Sequence, residues 1–243
     1  MRVIKYVILL ISITILCFSV YSLYKIKDEH KKNDDLKQEL IEEINIPDIP
    51  SKETKFTVDF EKLKNINSDV VGWIIMEGTQ VNYPIVQGEN NSYYLNHSYE
   101  KKYSSFGSIF LDYSSSSDLS DKNSFIYGHH TRNGSMFGEL KKYMNTNFFN
   151  EHPSFYLYTP NGNYKADIFS VYTADALSDS YNQSFSSLED FKLYIDLIKR
   201  KSRFAIDVDV NYETDKIISL YSCSHESESE YERYFIHAVL RII

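Results

Sequence analysis

The chain has 243 residues, 42% hydrophobic, 25% charged and 15% aromatic, which rules out a wholly disordered polymer and gives length for one domain of ordinary size, not three. Its formal net charge is −8, with +2 over residues 1–24, −2 over 25–55 and the remaining acidity in 56–243. So acidic a domain is a poor partner for a phosphate backbone, and nucleic acid is set aside; two cysteines, Cys17 and Cys223, are too few for the usual cysteine-ligated zinc sites.

Residues 6–24 carry no charge and are bounded by Lys5 and Lys25. As a helix they span about 28 Å, close to a bilayer's hydrocarbon thickness. A cleaved signal peptide is the rival reading, but its apolar core is shorter and ends in a small-x-small site, which Val20-Tyr21-Ser22-Leu23-Tyr24 does not provide. The expectation is an uncleaved single-pass anchor over 1–24 with its short basic tail inside, which puts the rest of the chain outside the cell. Residues 25–55 read as a charged stalk, helical over 25–43 and ended by Pro47 and Pro50. The compact domain is expected over 56–243.

Within that domain, 60–64 reads as a helix, 70–75 as a strand and Gly78 as a turn. Residues 108–111 and 124–127 read as strands around the serine-rich loop 114–117. Met136, Phe137, Leu140, Tyr143 and Met144 fit one helical face. Residues 155–159 and 164–172 flank Pro160-Asn161-Gly162-Asn163, a hairpin turn. Ser186-Ser187-Leu188-Glu189 resembles a capping box opening a helix that turns Leu188, Phe191, Ile195 and Ile198 inward. Residues 216–223 and 233–243 are the last strands, joined by the acidic loop 224–232. Many short strands with few helices suggest a β-barrel or sandwich carrying helical insertions.

Three residues could carry chemistry. Cys223 ends a strand and shares a face with Ile217, Ser219 and Tyr221 by period-two alternation. A lone cysteine is commonly a small core residue, but this one meets a polar loop where core packing gives out, in a domain expected outside the cell. His129-His130 follow a strand and Gly128; a histidine so placed suits acid–base work, and a surface loop pair is the bland alternative. On an extended strand only one of the two can face the thiol, and alternation from Phe125 through Tyr127 selects His129. A metal reading would group His129, His130 and His225 with Cys223, but no spaced carboxylate or second cysteine completes it. Arg233 opens the last strand ten residues after Cys223, so a hairpin would return its guanidinium toward the thiol, where it would lower the thiol pKa and hold an oxyanion. Together the three suit acyl transfer through a thioester. The order His then Cys disfavours papain-like peptidases.

These stretches resemble the sortases, class B in particular. The resemblance rests on 67–74 with 82–88, on Gly107-Ser108-Ile109-Phe110-Leu111-Asp112, on Tyr127-Gly128-His129-His130 with Ser135-Met136-Phe137, and on Leu220-Tyr221-Ser222-Cys223 with Arg233. It covers nearly all of 56–243, and the helix expected at about 187–201 is similar to the class B insertion. It implies a mainly β fold: a closed barrel of about eight strands with short helices inserted, one between later strands, behind a transmembrane helix. It implies an enzyme of Gram-positive cell surfaces, a transpeptidase whose Cys223 attacks the threonine carbonyl of a C-terminal sorting signal of Asn-Pro-x-Thr type. The acyl group would pass to an amine, usually on a peptidoglycan precursor. By matched position Asn91, Leu95, Tyr127, Tyr181 and Ser222 would line the peptide groove, and no metal or other cofactor is implied. Tyr221 and Ser222 depart from the family's usual Thr or Ser followed by Thr, which keeps a hydroxyl beside the thiol and sets a bulky ring at the substrate wall. A surface peptidase or amidase using water as acceptor, and a non-enzymatic binding module, are the competing classes.

Overall fold

The computed structural model describes residues 2–44, 57–175, 178–223 and 232–243. Two units are distinct. The first is helix α1 (Arg2–Ile44), whose stretch Val3–Asp28 has a mean hydropathy of 2.5 and is long and apolar enough to cross a membrane. Its few hydroxyls are satisfied within the helix: Ser12, Thr14 and Ser19 donate to the carbonyls of Ile8, Leu10 and Ile15 at 2.8–2.9 Å. A polar group so bonded is tolerable in hydrocarbon.

The second unit is a closed eight-stranded barrel, as the family resemblance implied. Its elements in chain order are α2 (Phe60–Ile66), β1 (Val70–Ile75), β2 (Asn82–Val86), a 3₁₀ turn (Tyr93–Leu95), β3 (Ile109–Leu111), β4 (Asn123–His129), a second 3₁₀ helix (Leu140–Met144), α3 (Thr146–Glu151), β5 (Ser154–Thr159), β6 (Gly162–Asp175), α4 (Leu188–Lys201), β7 (Ile217–Cys223) and β8 (Glu232–Ile242). Around the barrel the strands run β1-β2-β3-β4-β7-β8-β6-β5 and close on β1. Two pairs are parallel, β2/β3 and β4/β7; the rest are antiparallel.

Alternation builds the interior. Each strand sends at least one apolar residue into a single buried cluster: Ile74, Ile85, Ile109, Ile126, Leu157, Ile168, Leu220 and Ile236 from β1 to β8. The register of β6 slips between Ile168 and Ser170, so the interior set changes from Ala166 and Ile168 to Val171. The residues between, such as Phe125, Phe169 and Phe235, are equally buried but outside that cluster. They lie on the barrel's outer face, where α4 packs on β6 through Ser170, whose hydroxyl donates to the Ile198 carbonyl at 2.6 Å.

Several local expectations shift. Met136 and Phe137 are buried with Leu140 and Tyr143 but do not share a helix with them; Gly134 and Met136 take positive φ (88° and 49°), and only Leu140–Met144 coils, as 3₁₀. The cap of α4 is Ser187, which accepts from the Asp190 amide, while the Ser186 amide donates to the Asp190 carboxylate, so the capping box sits one residue later than predicted. Leu188, expected inward, is 46% exposed, and Tyr194 takes the buried position with Phe191, Ile195 and Ile198. Neither strand β2 nor helix α3 is marked by the sequence pattern. Pro47, Pro50, the domain start at 56 and the acidic loop 224–231 lie outside the described residues.

Candidate active site

The outer faces of three neighbouring strands, β4, β7 and β8, converge at one end of the barrel. On β4, Ile126 belongs to the interior, and so does Gly128. A Cβ on Gly128 would meet Ile109 Cδ1 at 2.5 Å and Phe137 Cδ2 at 2.8 Å. Phe125, Tyr127 and His129 therefore occupy the other face. The ladder with β7 continues unbroken through Gly128↔Ser222 and His129↔Cys223, so the glycine does not reverse the alternation. On β7, Ile218 and Leu220 are interior, which assigns Ser219 and Tyr221 to the outer face. On β8 the ladder with β7 ends at Tyr221↔Phe235, two residues short of Cys223 on one strand and of Arg233 on the other. His129, Cys223 and Arg233 thus stand near the ends of three adjacent strands, His129 opposite Cys223 in the β4/β7 ladder.

Local contacts orient the histidine. His129 Nε2 is 2.6 Å from the Leu95 carbonyl, which can only accept, so Nε2 carries a proton and Nδ1 is the basic nitrogen of the neutral ring. The His129 carbonyl accepts from the Phe137 amide at 2.9 Å, fixing the strand end. His130 lies on the opposite parity, bridged to Met136, with its ring stacked on Tyr234 at 5.2 Å between centroids.

Beside this row the predicted groove residues converge, except one. Tyr127 and Tyr181 donate to Asp112 Oδ2 at 2.7 and 2.5 Å, and Asn91 Nδ2 donates to the same oxygen at 2.8 Å. Leu95 reaches the site through its carbonyl, as above. The Tyr181 ring leans on Phe125 at 4.5 Å and is 41% exposed; Tyr221 packs edge-on to Tyr127 and Phe235 at 5.4 and 4.9 Å. Ser222 is the exception: it is fully buried, on the parity of interior Leu220, and its Oγ accepts from the Tyr234 amide at 2.9 Å.

Sequence reasoning missed Asp112. It directly follows a three-residue apolar strand, before the serine-rich loop, which is a weak signal. Burial pushes its carboxyl upward, but hydrogen bonds led by those of Ser114, Tyr181 and Tyr127 outweigh this and hold it below the usual carboxylate value. Burial, then the Tyr181 hydroxyl and the Asp112 charge, push the Tyr127 phenol well above its ordinary value, so it remains a donor. Also missed was a core chain further along the same faces: Tyr172 Oη to His237 Nε2 at 2.9 Å, His237 Nδ1 to Ser219 Oγ at 2.7 Å, and Ser219 Oγ to Asn123 Oδ1 at 2.7 Å. Because Ser219 spends its hydrogen on Asn123, His237 Nδ1 must donate; burial keeps the ring neutral, so Nε2 accepts from the Tyr172 hydroxyl. Among the described residues no group of three His, Cys, Asp or Glu side chains is arranged to hold a metal ion.

A histidine, a cysteine and an arginine near the ends of three adjacent barrel strands are the kinds of group that cysteine acyl transfer uses. The sortase domain model matches residues 74–241, and the chain belongs to the sortase family. Its relatives place it in class B. Sortase B of Listeria monocytogenes is 36% identical over 184 residues, covering 75% of this chain and 74% of that protein. The crystal structure of Staphylococcus aureus sortase B matches with a TM-score of 0.77 at 30% identity, covering 88% of this chain and 99% of that one. A Staphylococcus aureus sortase B–substrate complex matches equally well at 29% identity, covering 90% and 99%. The chain is a cysteine transpeptidase of this family.

Proposed function

We propose that the chain is a membrane-anchored transpeptidase that cleaves a C-terminal sorting signal of Asn-Pro-x-Thr type after threonine and joins it to an amine, on a peptidoglycan precursor or similar acceptor. The observation that carries this reading is the register His129↔Cys223 on adjacent parallel strands, with Arg233 near the start of the neighbouring strand β8. Cys223 is the nucleophile, His129 the acid–base group and Arg233 the oxyanion donor. Asn91, Leu95, Tyr127 and Tyr181 shape the peptide groove. Ser222 contributes through the strand it stabilises. The anchor is residues 1–24, a reading the apolar stretch Val3–Asp28 supports; the stalk is 25–55 and the catalytic domain, outside the cell, 56–243.

The chemistry follows from the groups. The Cys223 thiolate adds to the threonine carbonyl carbon, and the oxygen takes the negative charge beside the Arg233 guanidinium. The intermediate collapses, the carbon–nitrogen bond breaks, and protonated His129 gives its proton to the departing amine. A thioester remains. An acceptor amine adds to the thioester, loses a proton to His129, and expels the thiolate as the new amide forms. A sulfur leaving group and a protected acyl-enzyme make an amine competitive with water.

The test is product analysis with a soluble Asn-Pro-x-Thr peptide, with and without triglycine. A ligated peptide ending at threonine and extended by triglycine is expected. Hydrolysed peptide alone, with triglycine in excess, would assign the chain a water acceptor instead. No cleavage of any member of a series with x varied would remove the proposed signal.

A further inference from the structure

We infer that Asp112 is a positioning residue: its carboxylate joins the two loops that wall the peptide groove and holds them against β4. This rests on the transpeptidase reading above. Asp112 is fully buried, and among the described residues its carboxylate takes five neutral donors. Oδ2 accepts from Asn91 of the 87–92 loop, Tyr127 of β4 and Tyr181 of the 178–186 loop. Oδ1 accepts from the amide and hydroxyl of Ser114 at 2.9 and 2.7 Å. Asn91 is committed at both ends, since its Oδ1 accepts from the Tyr113 amide at 3.0 Å. Its amide therefore serves the frame and is not free for a ligand.

Three donors on one oxygen demand an anion. An asparagine at 112 fails in either amide orientation, because its NH₂ must face either the Ser114 amide or the Asn91, Tyr127 and Tyr181 donors. The 87–95 segment, tied to Asp112 through Asn91, ends at Leu95, whose carbonyl accepts from His129 without involving the carboxylate. The second loop is held less securely at its exposed ring. Tyr181 touches β4 through Phe125 and Tyr127, and its hydroxyl is fixed by Asp112 and by Gln183 Nε2 at 3.1 Å.

The experiment compares Asp112→Asn with the parent enzyme by peptide kinetics, by alkylation of Cys223 with iodoacetamide, and by hydrogen exchange. The KM for an Asn-Pro-x-Thr peptide should rise about 10- to 100-fold, the scale of losing charge-assisted hydrogen bonds, with kcat within about threefold. Alkylation should be unchanged. Exchange should quicken in 88–92 and 178–186 while the barrel strands keep their protection. Tyr181→Phe should raise KM about threefold to tenfold in the parent, yet add nothing on the Asp112→Asn background. An unchanged KM, additive effects of the two substitutions, or a fall in kcat with slowed alkylation would each overturn the assignment. Should Asp112→Asn fail to fold, Tyr181→Phe alone carries the test: unchanged exchange in 178–186 refutes the role. The exchange readout needs no turnover. A parent enzyme that forms no acyl-enzyme would refute the catalytic reading and leave Asp112 to be judged by exchange alone.

Discussion

At the scale of residues, the chemistry of the site rests on side chains with no equivalent substitute. Arg233 offers a planar fork and a charge that cannot be titrated away; lysine offers a point charge without the fork. Arg233→Lys should fold normally and lose about 10²- to 10³-fold in kcat, the usual effect of removing an oxyanion donor. Near-normal turnover would assign the oxyanion to another group. The adjacent histidines separate by face. His129→Ala should abolish thioester formation, whereas His130→Ala, which removes a ring stacked on Tyr234, should leave most of it. The reverse pattern would exchange their roles. The opposite faces of His129 and His130 were readable in sequence because alternation along β4 is strict and Gly128 does not interrupt it. Asp112 was not readable, since two of its three Oδ2 donors stand 21 and 69 residues away and only the folded barrel gathers them.

At the scale of elements, β7 and β8 are held in register by buried polar atoms as well as by the ladder. His237 is fully buried, and burial, then the positive charge of Lys201, lowers its pKa to about 3. The unfolded chain therefore takes up the proton first, near pH 6.5, and the native state only near pH 3. This contribution to stability is complete above pH 6.5 and is lost progressively as pH falls toward 3. The loss is on the order of a few kcal/mol. Thermal midpoints measured from pH 7.5 to 4.5 should fall in the parent and fall less steeply in His237→Gln. Parallel slopes would show that other groups carry the acid sensitivity. The sequence reading found seven of the eight strands and the long helix of the second unit. It missed β2 because Pro84 interrupts its pattern. The fold tolerates that proline because the β2/β3 ladder begins only at Ile85↔Ile109. It placed Met136 and Phe137 on a helix because turns can match a helical spacing without helical geometry, which the positive φ of Met136 excludes.

At the scale of the whole molecule, the parallel pairing of β4 with β7 is the decisive feature. It requires a crossover from residue 129 to residue 217, long enough to hold β5, β6 and α4, and it aligns His129 with Cys223. Composition and strand spacing suggested a barrel or sandwich; closure came from family resemblance and strand order only from the structure, because long-range pairing leaves no local mark on the sequence. The uncharged N-terminal run was legible for the opposite reason, since length and apolarity alone define it. A chain starting at residue 55 should be soluble, folded and active on a soluble peptide, while the full chain should sediment with membranes. Loss of activity in the shorter chain, with the full chain active in detergent, would move the domain boundary.

The central claim is that Cys223 becomes acylated by the carbonyl of the signal's threonine. Mass spectrometry of the digested enzyme after incubation with an Asn-Pro-x-Thr peptide tests it most directly. The account predicts an adduct on the fragment carrying Cys223, equal in mass to the acyl portion ending at threonine, absent in Cys223→Ala and discharged by triglycine. Turnover of the peptide with no adduct at Cys223, or with the adduct on another residue, would contradict it.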